Sequence, residues 1–204
     1  MKKLILAAVS AAALLGSGIA SANAQSIEGP YAGAAGGYGL GVVDITDPTG
    51  TVNGAIQAGA LGLDGAIFAG YGTTFDNVYL GIEGQVGYSD IKHKTDFGGA
   101  NLTGRVQENA AIYARLGFSF AESSLIYGIA GLSGANYELS DGTTTIENTV
   151  YSYKLGAGIE QGLNENMFVR GSVDFDIARE DVRFNGIDIR PVTSAARIGL
   201  GFRF

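Results

Sequence analysis

Large apolar side chains alternate with small or charged ones along most of this chain. The last eight residues show this most clearly, with one bulky apolar set and one set of glycines and arginines: Ile198, Leu200, Phe202 and Phe204 against Arg197, Gly199, Gly201 and Arg203. A repeat of two is that of a β-strand, whose side chains point alternately to opposite faces. One apolar face and one polar face suit the wall of a membrane barrel with a polar lumen.

The same alternation recurs in eight segments, which we predict to be strands: Tyr31–Leu40, Leu61–Tyr71, Val78–Ser89, Ala110–Phe120, Leu125–Tyr137, Thr149–Gln161, Met167–Ala178 and Val192–Phe204. Long polar connections between them alternate with short ones. An even strand count with this asymmetry is typical of outer-membrane barrels, which have long loops outside the cell and tight turns in the periplasm. The sequence therefore predicts an all-β fold, an eight-stranded antiparallel up-and-down transmembrane β-barrel with both termini in the periplasm.

A soluble barrel is the main alternative to this fold, and side-chain size argues against it. Eight strands enclose a lumen only wide enough to be filled by side chains. Four or five bulky residues per strand would overcrowd that lumen, whereas glycine, serine and a few charges would fit. The bulky face is therefore assigned to lipid, and the aromatic residues near strand ends are assigned to girdles at the two membrane interfaces: Tyr71, Tyr88, Phe120, Tyr127, Tyr151, Tyr153, Phe175, Phe202 and Phe204.

The N-terminus has the three parts of a secretory leader. Lys2 and Lys3 precede the uncharged apolar stretch Leu4–Ala20, and an Ala-x-Ala exit follows. We predict a cleaved signal peptide at residues 1–24 and an outer-membrane β-barrel domain at residues 25–204. A retained membrane helix is disfavoured because the apolar stretch is short and interrupted by serine and glycine. With no cysteine in the chain, a lipid-modified N-terminal cysteine and disulfides are both impossible.

Composition and charge narrow the class further. Beyond the leader no apolar run is long enough for a membrane helix. A membrane protein without such helices has to be a closed barrel, because only helices and barrels satisfy every backbone group in lipid. The chain has 13 basic and 20 acidic residues, and two of the basic ones lie in the leader. So acidic a surface argues against nucleic acid as a partner.

The face assignment directs ten ionisable side chains into the lumen, five acids and five bases: Asp64, Glu83, Glu160, Asp174 and Asp176 against Arg115, Lys154, Arg170, Arg197 and Arg203. Buried charges persist only when they are paired and hydrogen-bonded. A balanced set therefore predicts an ion-pair network that plugs the lumen. The alternative functional reading is a ring of charges that selects ions, or a set of catalytic carboxylates. A pore filter, however, usually carries an excess of one sign of charge.

Other candidate chemistry is sparse. His93 is the only histidine, and it lies between Lys92 and Lys94 in a predicted long loop. Lipid-modifying barrels and outer-membrane proteases combine histidine with serine or a carboxylate, but the flanking lysines favour an exposed loop residue. Without a second histidine or a cysteine we expect no metal site. We also expect no cofactor, since the glycine cluster at 36–41 lacks the helix and the spacing of a dinucleotide loop.

Several segments carry a family resemblance: the opening Pro30–Gly39, Val78–Gly84, Gly156–Glu160 and the terminal Phe204. With these segments the chain resembles the small outer-membrane β-barrels that include the OmpA-like transmembrane domain, the opacity-type adhesins and the short porin-family surface antigens. The resemblance extends from Tyr31 to the C-terminus. It is moderately specific for the fold and weak for function, because one fold hosts many functions.

The resemblance implies a non-enzymatic protein of the Gram-negative outer membrane, with a structural or surface-interaction role and four extracellular loops. Its expected partners are outer-membrane lipid and lipopolysaccharide, the barrel-assembly machinery, and host or envelope proteins at the loops. The resemblance also implies that this machinery recognises an apolar set ending on phenylalanine: Ile198, Leu200, Phe202 and Phe204. Two alternatives remain: a narrow porin-like channel and, in third place, a lipid-modifying enzyme.

Overall fold

The computed structural model describes residues 27–46, 58–97, 100–121, 123–140, 145–180, 182–184 and 187–204, so the predicted leader lies outside the described residues. Within these ranges the chain forms nine strands: β1 (Gly29–Thr46), β2 (Ala58–Phe75), β3 (Val78–Phe97), β4 (Ala100–Ala121), β5 (Ser124–Ser140), β6 (Thr145–Gly162), β7 (Met167–Ala178), β8 (Val182–Phe184) and β9 (Ile187–Arg203). None of the described residues forms a helix long and apolar enough to cross a membrane.

The strands close into a barrel. Each of β1 to β7 pairs antiparallel with its neighbour in the chain, β7 pairs with β9, and β9 pairs back with β1. The three-residue β8 pairs only with the start of β9 and lies outside this ring. The predicted eight-stranded antiparallel up-and-down barrel is therefore confirmed. Closure leaves the wall without the unpaired edges that open sheets must protect.

The two ends of the barrel differ. At one end, which we call the turn end, lie Gly29, Phe204 and the tight connections between paired strands. One of these connections is the two-residue turn 76–77, where Asp76 adopts a left-handed φ of 53° that its short polar side chain tolerates. The opposite end, where β1 leads towards β2 and β3 towards β4, is the loop end.

The strands extend further towards the loop end than the sequence predicted. Pairing between β3 and β4 continues to Phe97 and Ala100, through a segment assigned to a loop. His93 therefore lies in β3, opposite Gly104, and its assignment to a loop was wrong. The backbone pairing of two strands in a hairpin can continue beyond the part where one of their faces is buried. The alternation of apolar residues therefore does not show where such strands end. An irregularity in register between Tyr88 and Ile91 also interrupts the period.

The two faces of the wall are those predicted. Bulky apolar residues on the outside are about half exposed, including Leu80, Ile112, Leu155 and Leu200, while their sequence neighbours are buried inside. So much exposed apolar surface indicates contact with lipid. One girdle residue was misassigned: Tyr127 lies inside the barrel with 4% of its surface exposed.

Candidate functional site

The barrel interior holds the ten ionisable side chains identified from the sequence, and their ion pairs fall into two groups. We call them the turn-end cluster, with Glu83, Arg115, Glu160, Arg170 and Arg203, and the loop-end cluster, with Asp64, Lys154, Asp174, Asp176 and Arg197. All are buried except Asp176, whose side chain is 21% exposed. Side chains along a strand point alternately to its two faces, and each of these ten residues lies at a position that faces the lumen.

The turn-end cluster is a chain of alternating charges across the lumen. Arg115 on β4 lies at its centre, with Nη2 2.8 Å from Glu160 on β6 and Nη1 3.3 Å from Glu83 on β3. Glu83 also pairs with Arg170 on β7 at 2.8 Å, and Glu160 pairs with Arg203 on β9. Five strands of the wall are therefore joined through one network. Burial of each charge is offset by an opposite charge within contact distance.

Two tyrosines complete the coordination of Glu83. The Tyr31 hydroxyl donates to Oε2 over 2.8 Å, and the Tyr113 hydroxyl donates to Oε1. Arg115 Nη1 in turn donates to the Tyr31 oxygen over 2.9 Å. With Arg115 and Arg170, this fully buried carboxylate has four donors, which occupies both of its oxygens.

Aromatic rings surround the excess positive charge of the turn-end cluster, which has three cations for two anions. The guanidinium carbon of Arg115 is 3.9 Å from the ring centroid of Tyr127. That of Arg170 is 3.3 Å from Phe68, and that of Arg203 is 4.9 Å from Phe168. Cation–π attraction is strongest where both groups are shielded from water, as they are here. Sequence reasoning missed these rings as part of the site.

Each of these interior rings lies over a glycine of a neighbouring strand, in four direct cross-strand pairs: Tyr31 with Gly70, Phe68 with Gly33, Tyr127 with Gly158, and Phe168 with Gly201. A Cβ built on Gly201 would lie 2.2 Å from the Phe168 ring, which is closer than atoms can approach. The glycines therefore provide the space that the rings fill. An aromatic residue and a glycine at paired interior positions were the signal that could have identified them.

The loop-end cluster has the opposite balance, three acids for two bases. Lys154 Nζ lies 2.5 Å from Asp174 and 2.9 Å from Asp176. Arg197 pairs with Asp174 at 2.5 Å and with Asp64. Hydroxyl groups occupy further carboxylate oxygens, since Ser89 donates to Asp64 and Ser133 donates to Asp176, each over 2.5 Å.

A small polar cavity adjoins the loop-end cluster. Its volume is about 30 Å³, enough for one or two water molecules. Besides the charged groups, its lining includes hydroxyl and amide side chains: Ser89, Asn109, Ser133, Ser152, Thr193 and Ser194. The cavity can therefore hold water next to the loop-end cluster.

Comparison with known proteins agrees with this geometry. Residues 10–204 match the family model described as outer membrane protein beta-barrel domain. The chain belongs to this family. A 22 kDa outer membrane protein of Rhizobium leguminosarum bv. viciae is 26% identical, over 89% of this chain and 80% of its own length. A 25 kDa outer-membrane immunogenic protein of Brucella abortus is 28% identical over 67% of this chain, which spans 63% of that relative.

Solved structures support the fold independently. The outer membrane protein OprG from Pseudomonas aeruginosa superposes with a TM-score of 0.58 at 12% identity, covering 89% of this chain and 99% of its own. Neisserial surface protein A gives a TM-score of 0.53 at 13% identity, covering 87% and 100%. The predicted family is confirmed, and this chain is a small outer-membrane β-barrel.

The interior of this outer-membrane barrel offers little reactive chemistry. Among the described residues, no three histidine, cysteine or carboxylate side chains come close enough to hold a metal ion. Every carboxylate of the two clusters accepts a hydrogen bond from a cation. The side chain of His93 lies outside the described part of the structure.

The predicted assembly signal lies on the outer wall of β9. Ile198, Leu200 and Phe202 are about half exposed towards lipid, as the alternation predicted. Phe204 is 80% exposed at the turn end, and its backbone N–H donates to the Pro30 carbonyl over 3.1 Å. The aromatic ring is therefore available at the surface while its backbone completes the seam between β1 and β9.

Proposed function

We propose that this protein is a non-enzymatic component of the outer membrane that supports envelope structure and presents its loop-end segments at the cell surface, with an interior closed to solutes. The observation that carries the proposal is Arg115, a fully buried arginine held between Glu83 and Glu160 by ion pairs. A side chain in that position obstructs the lumen and joins three strands of the wall.

Energetics favour a closed interior over an open one. Opening a path through the turn-end cluster would separate buried charges from their partners, and breaking such a pair typically costs about 3–5 kcal/mol. Aromatic rings fill much of the remaining space, and Tyr31, Phe68 and Phe168 pack against one another with centroids 6.0–6.4 Å apart. Water and ions would have to displace both the ion pairs and the rings.

The proposed orientation has the turn end and both termini in the periplasm, as is usual for barrels with short turns at one end. The barrel-assembly machinery would then recognise the apolar face of β9, ending at Phe204, from the periplasmic side. Outer-membrane lipid and lipopolysaccharide would surround the apolar wall. Host or envelope proteins would be met through the four loops at the loop end.

A narrow channel is the second candidate, and the polar cavity beside the loop-end cluster favours it. Hydroxyl and amide groups line that cavity, as in the polar lumen of a porin. Its small volume and the adjoining ion pairs of Asp64 and Asp176 argue against passage in the state described.

Complementation tests the structural role against a role for the interior itself. A strain lacking the gene would receive the wild-type protein, the charge-balanced variant Glu83→Gln/Arg170→Gln, or His93→Ala. If the role is structural, both variants reach the outer membrane with heat-modifiable migration and restore detergent resistance to the wild-type level. A variant that folds and fractionates normally but fails to restore resistance would contradict the proposal. Failure of His93→Ala alone would favour an enzyme.

A further inference from the structure

The first described residues do not remain outside the barrel. Ile27 precedes the first strand of the wall, yet it is 7% exposed and belongs to a buried apolar cluster with Tyr79, Leu125 and Tyr127. Those residues project inward near the turn end. We call residues 27–29 the N-terminal hook, because they lead the chain from the wall back over the lumen.

Gly29 makes this change of direction possible. Its φ is +99°, a backbone conformation that residues with a side chain rarely adopt. The residue that follows is Pro30, whose fixed φ continues directly into the extended wall of β1. The sequence pair Gly-Pro therefore separates an inward-turned segment from the strand.

Contacts to both neighbouring strands hold the hook in place. Arg203 on β9 donates to the Ile27 carbonyl, and the backbone N–H of Thr74 on β2 donates to Glu28 Oε1 over 3.0 Å. Because Arg203 also pairs with Glu160, the hook is connected to the turn-end cluster. An apolar side chain is thus anchored at the turn-end mouth of the interior by groups from opposite sides of the first strand.

We propose that the N-terminal hook is a seal that excludes water and ions from the turn end of the barrel interior. Ile27 supplies the apolar contact, Gly29 allows the backbone to turn inward, and Arg203 holds the hook through its hydrogen bond to the Ile27 carbonyl. The seal rests on the proposed function and extends its closed interior to the turn end. It shares Arg203 with the turn-end cluster, but its apolar contact comes from Ile27, which belongs to neither cluster, so Ile27 can be replaced while the ion pairs remain.

Thiol accessibility tests the seal directly, because the chain has no cysteine and each variant carries a single thiol. Leu125→Cys places the thiol at a fully buried position of the Ile27 cluster, and Asn77→Cys places a reference thiol at the exposed turn. With the full-length protein in lipid nanodiscs, a charged methanethiosulfonate reagent should label Asn77→Cys rapidly and Leu125→Cys slowly. Adding Ile27→Gly should raise the Leu125→Cys rate about tenfold or more, as local opening exposes the site.

Ile27→Val is the matched control, since it keeps an apolar anchor and should leave the labelling slow. The seal is overturned if Leu125→Cys reacts as fast as the reference with Ile27 intact, or if Ile27→Gly leaves its rate unchanged. If Leu125→Cys does not fold, Ile129→Cys in the same cluster serves instead. Ion conduction by the unsubstituted barrel would count against the proposed function and the seal together, whereas fast labelling of Leu125→Cys in a barrel that does not conduct would count against the seal alone, so the two failures are distinguishable.

Discussion

At the scale of single residues, glycines with the same backbone conformation have opposite surroundings on the two faces of the wall. A Cβ on interior Gly201 would lie 2.2 Å from the Phe168 ring, whereas one on exterior Gly128 would lie 3.8 Å from its nearest atom. We expect Gly201→Ala to lower the free energy of unfolding by about 1–3 kcal/mol through overpacking. Gly128→Ala should change it by less than about 0.5 kcal/mol. Urea unfolding in lipid vesicles measures both.

Equal losses for the two alanine variants would contradict this assignment of faces. A larger loss of unfolding free energy for Gly128→Ala would contradict the assignment more strongly, because the added methyl group would then contact protein and not lipid. The comparison is well matched, since both positions lie within strands and neither has a positive φ.

The residue scale also shows where sequence reasoning succeeds and fails. Alternation located the ten charged residues of the two clusters, because on most strands the two faces differ sharply in size and polarity. It failed on β5, where the interior residues Leu125, Tyr127 and Ile129 are as bulky and apolar as exterior Ile126. There the pattern offers no contrast, and Tyr127 was assigned to lipid.

At the scale of elements, β9 carries two separable predictions. The first concerns Leu200, which is 51% exposed on the outer wall between Ile198 and Phe202. Leu200→Arg should lower the free energy of unfolding in vesicles by about 2–4 kcal/mol, because a cation would face lipid near mid-membrane. Leu163→Arg, in a turn-end connection, is the control and should cost less than about 0.5 kcal/mol. Tolerance of Leu200→Arg would mean that this face does not contact lipid.

The second prediction separates assembly from stability. Phe204 is 80% exposed, so Phe204→Ala removes little packing and should leave in vitro unfolding within about 0.5 kcal/mol of wild type. If the assembly machinery recognises this ring, the abundance of the variant in outer-membrane fractions should fall. Phe120→Ala removes another exposed aromatic residue near the turn end and should leave the abundance unchanged. Equal abundance of the two variants would argue against Phe204 as a signal.

Strand lengths illustrate what an element's sequence leaves open. The extensions of β3 and β4 beyond Ser89 and Ala110 carry no sustained apolar alternation, so they were assigned to loops. Their pairing is a property of the hairpin as a whole, because backbone hydrogen bonds between β3 and β4 continue along the ladder whatever the side chains are. A pattern of side-chain hydrophobicity therefore cannot predict how far this backbone pairing extends.

At the scale of the whole molecule, the turn-end cluster behaves as one unit, and its coupling can be measured. Glu83→Gln removes the acid that pairs with both Arg115 and Arg170, and among the described residues Arg170 then has no carboxylate partner. We expect a loss of about 3–5 kcal/mol in the free energy of unfolding. Glu83→Gln/Arg170→Gln leaves the pairs of Arg115 and Arg203 with Glu160 intact, and should recover at least half of that loss.

A double-mutant cycle with Arg170→Gln provides the remaining corner and isolates the coupling. Losses that simply add would contradict a shared network at these two positions.

Only part of this network could be predicted from the sequence. Balance between acids and bases was visible, but the division into two clusters of opposite excess was not. Arg115 on β4 and Glu160 on β6 are separated by β5, and they meet because the curvature of the wall directs both side chains into the narrow lumen.

The central claim is that ion pairs and aromatic rings close the lumen, and single-channel recording in planar bilayers tests it most directly. The wild-type protein should show no steady openings. Large, steady openings of the wild-type barrel would contradict the account.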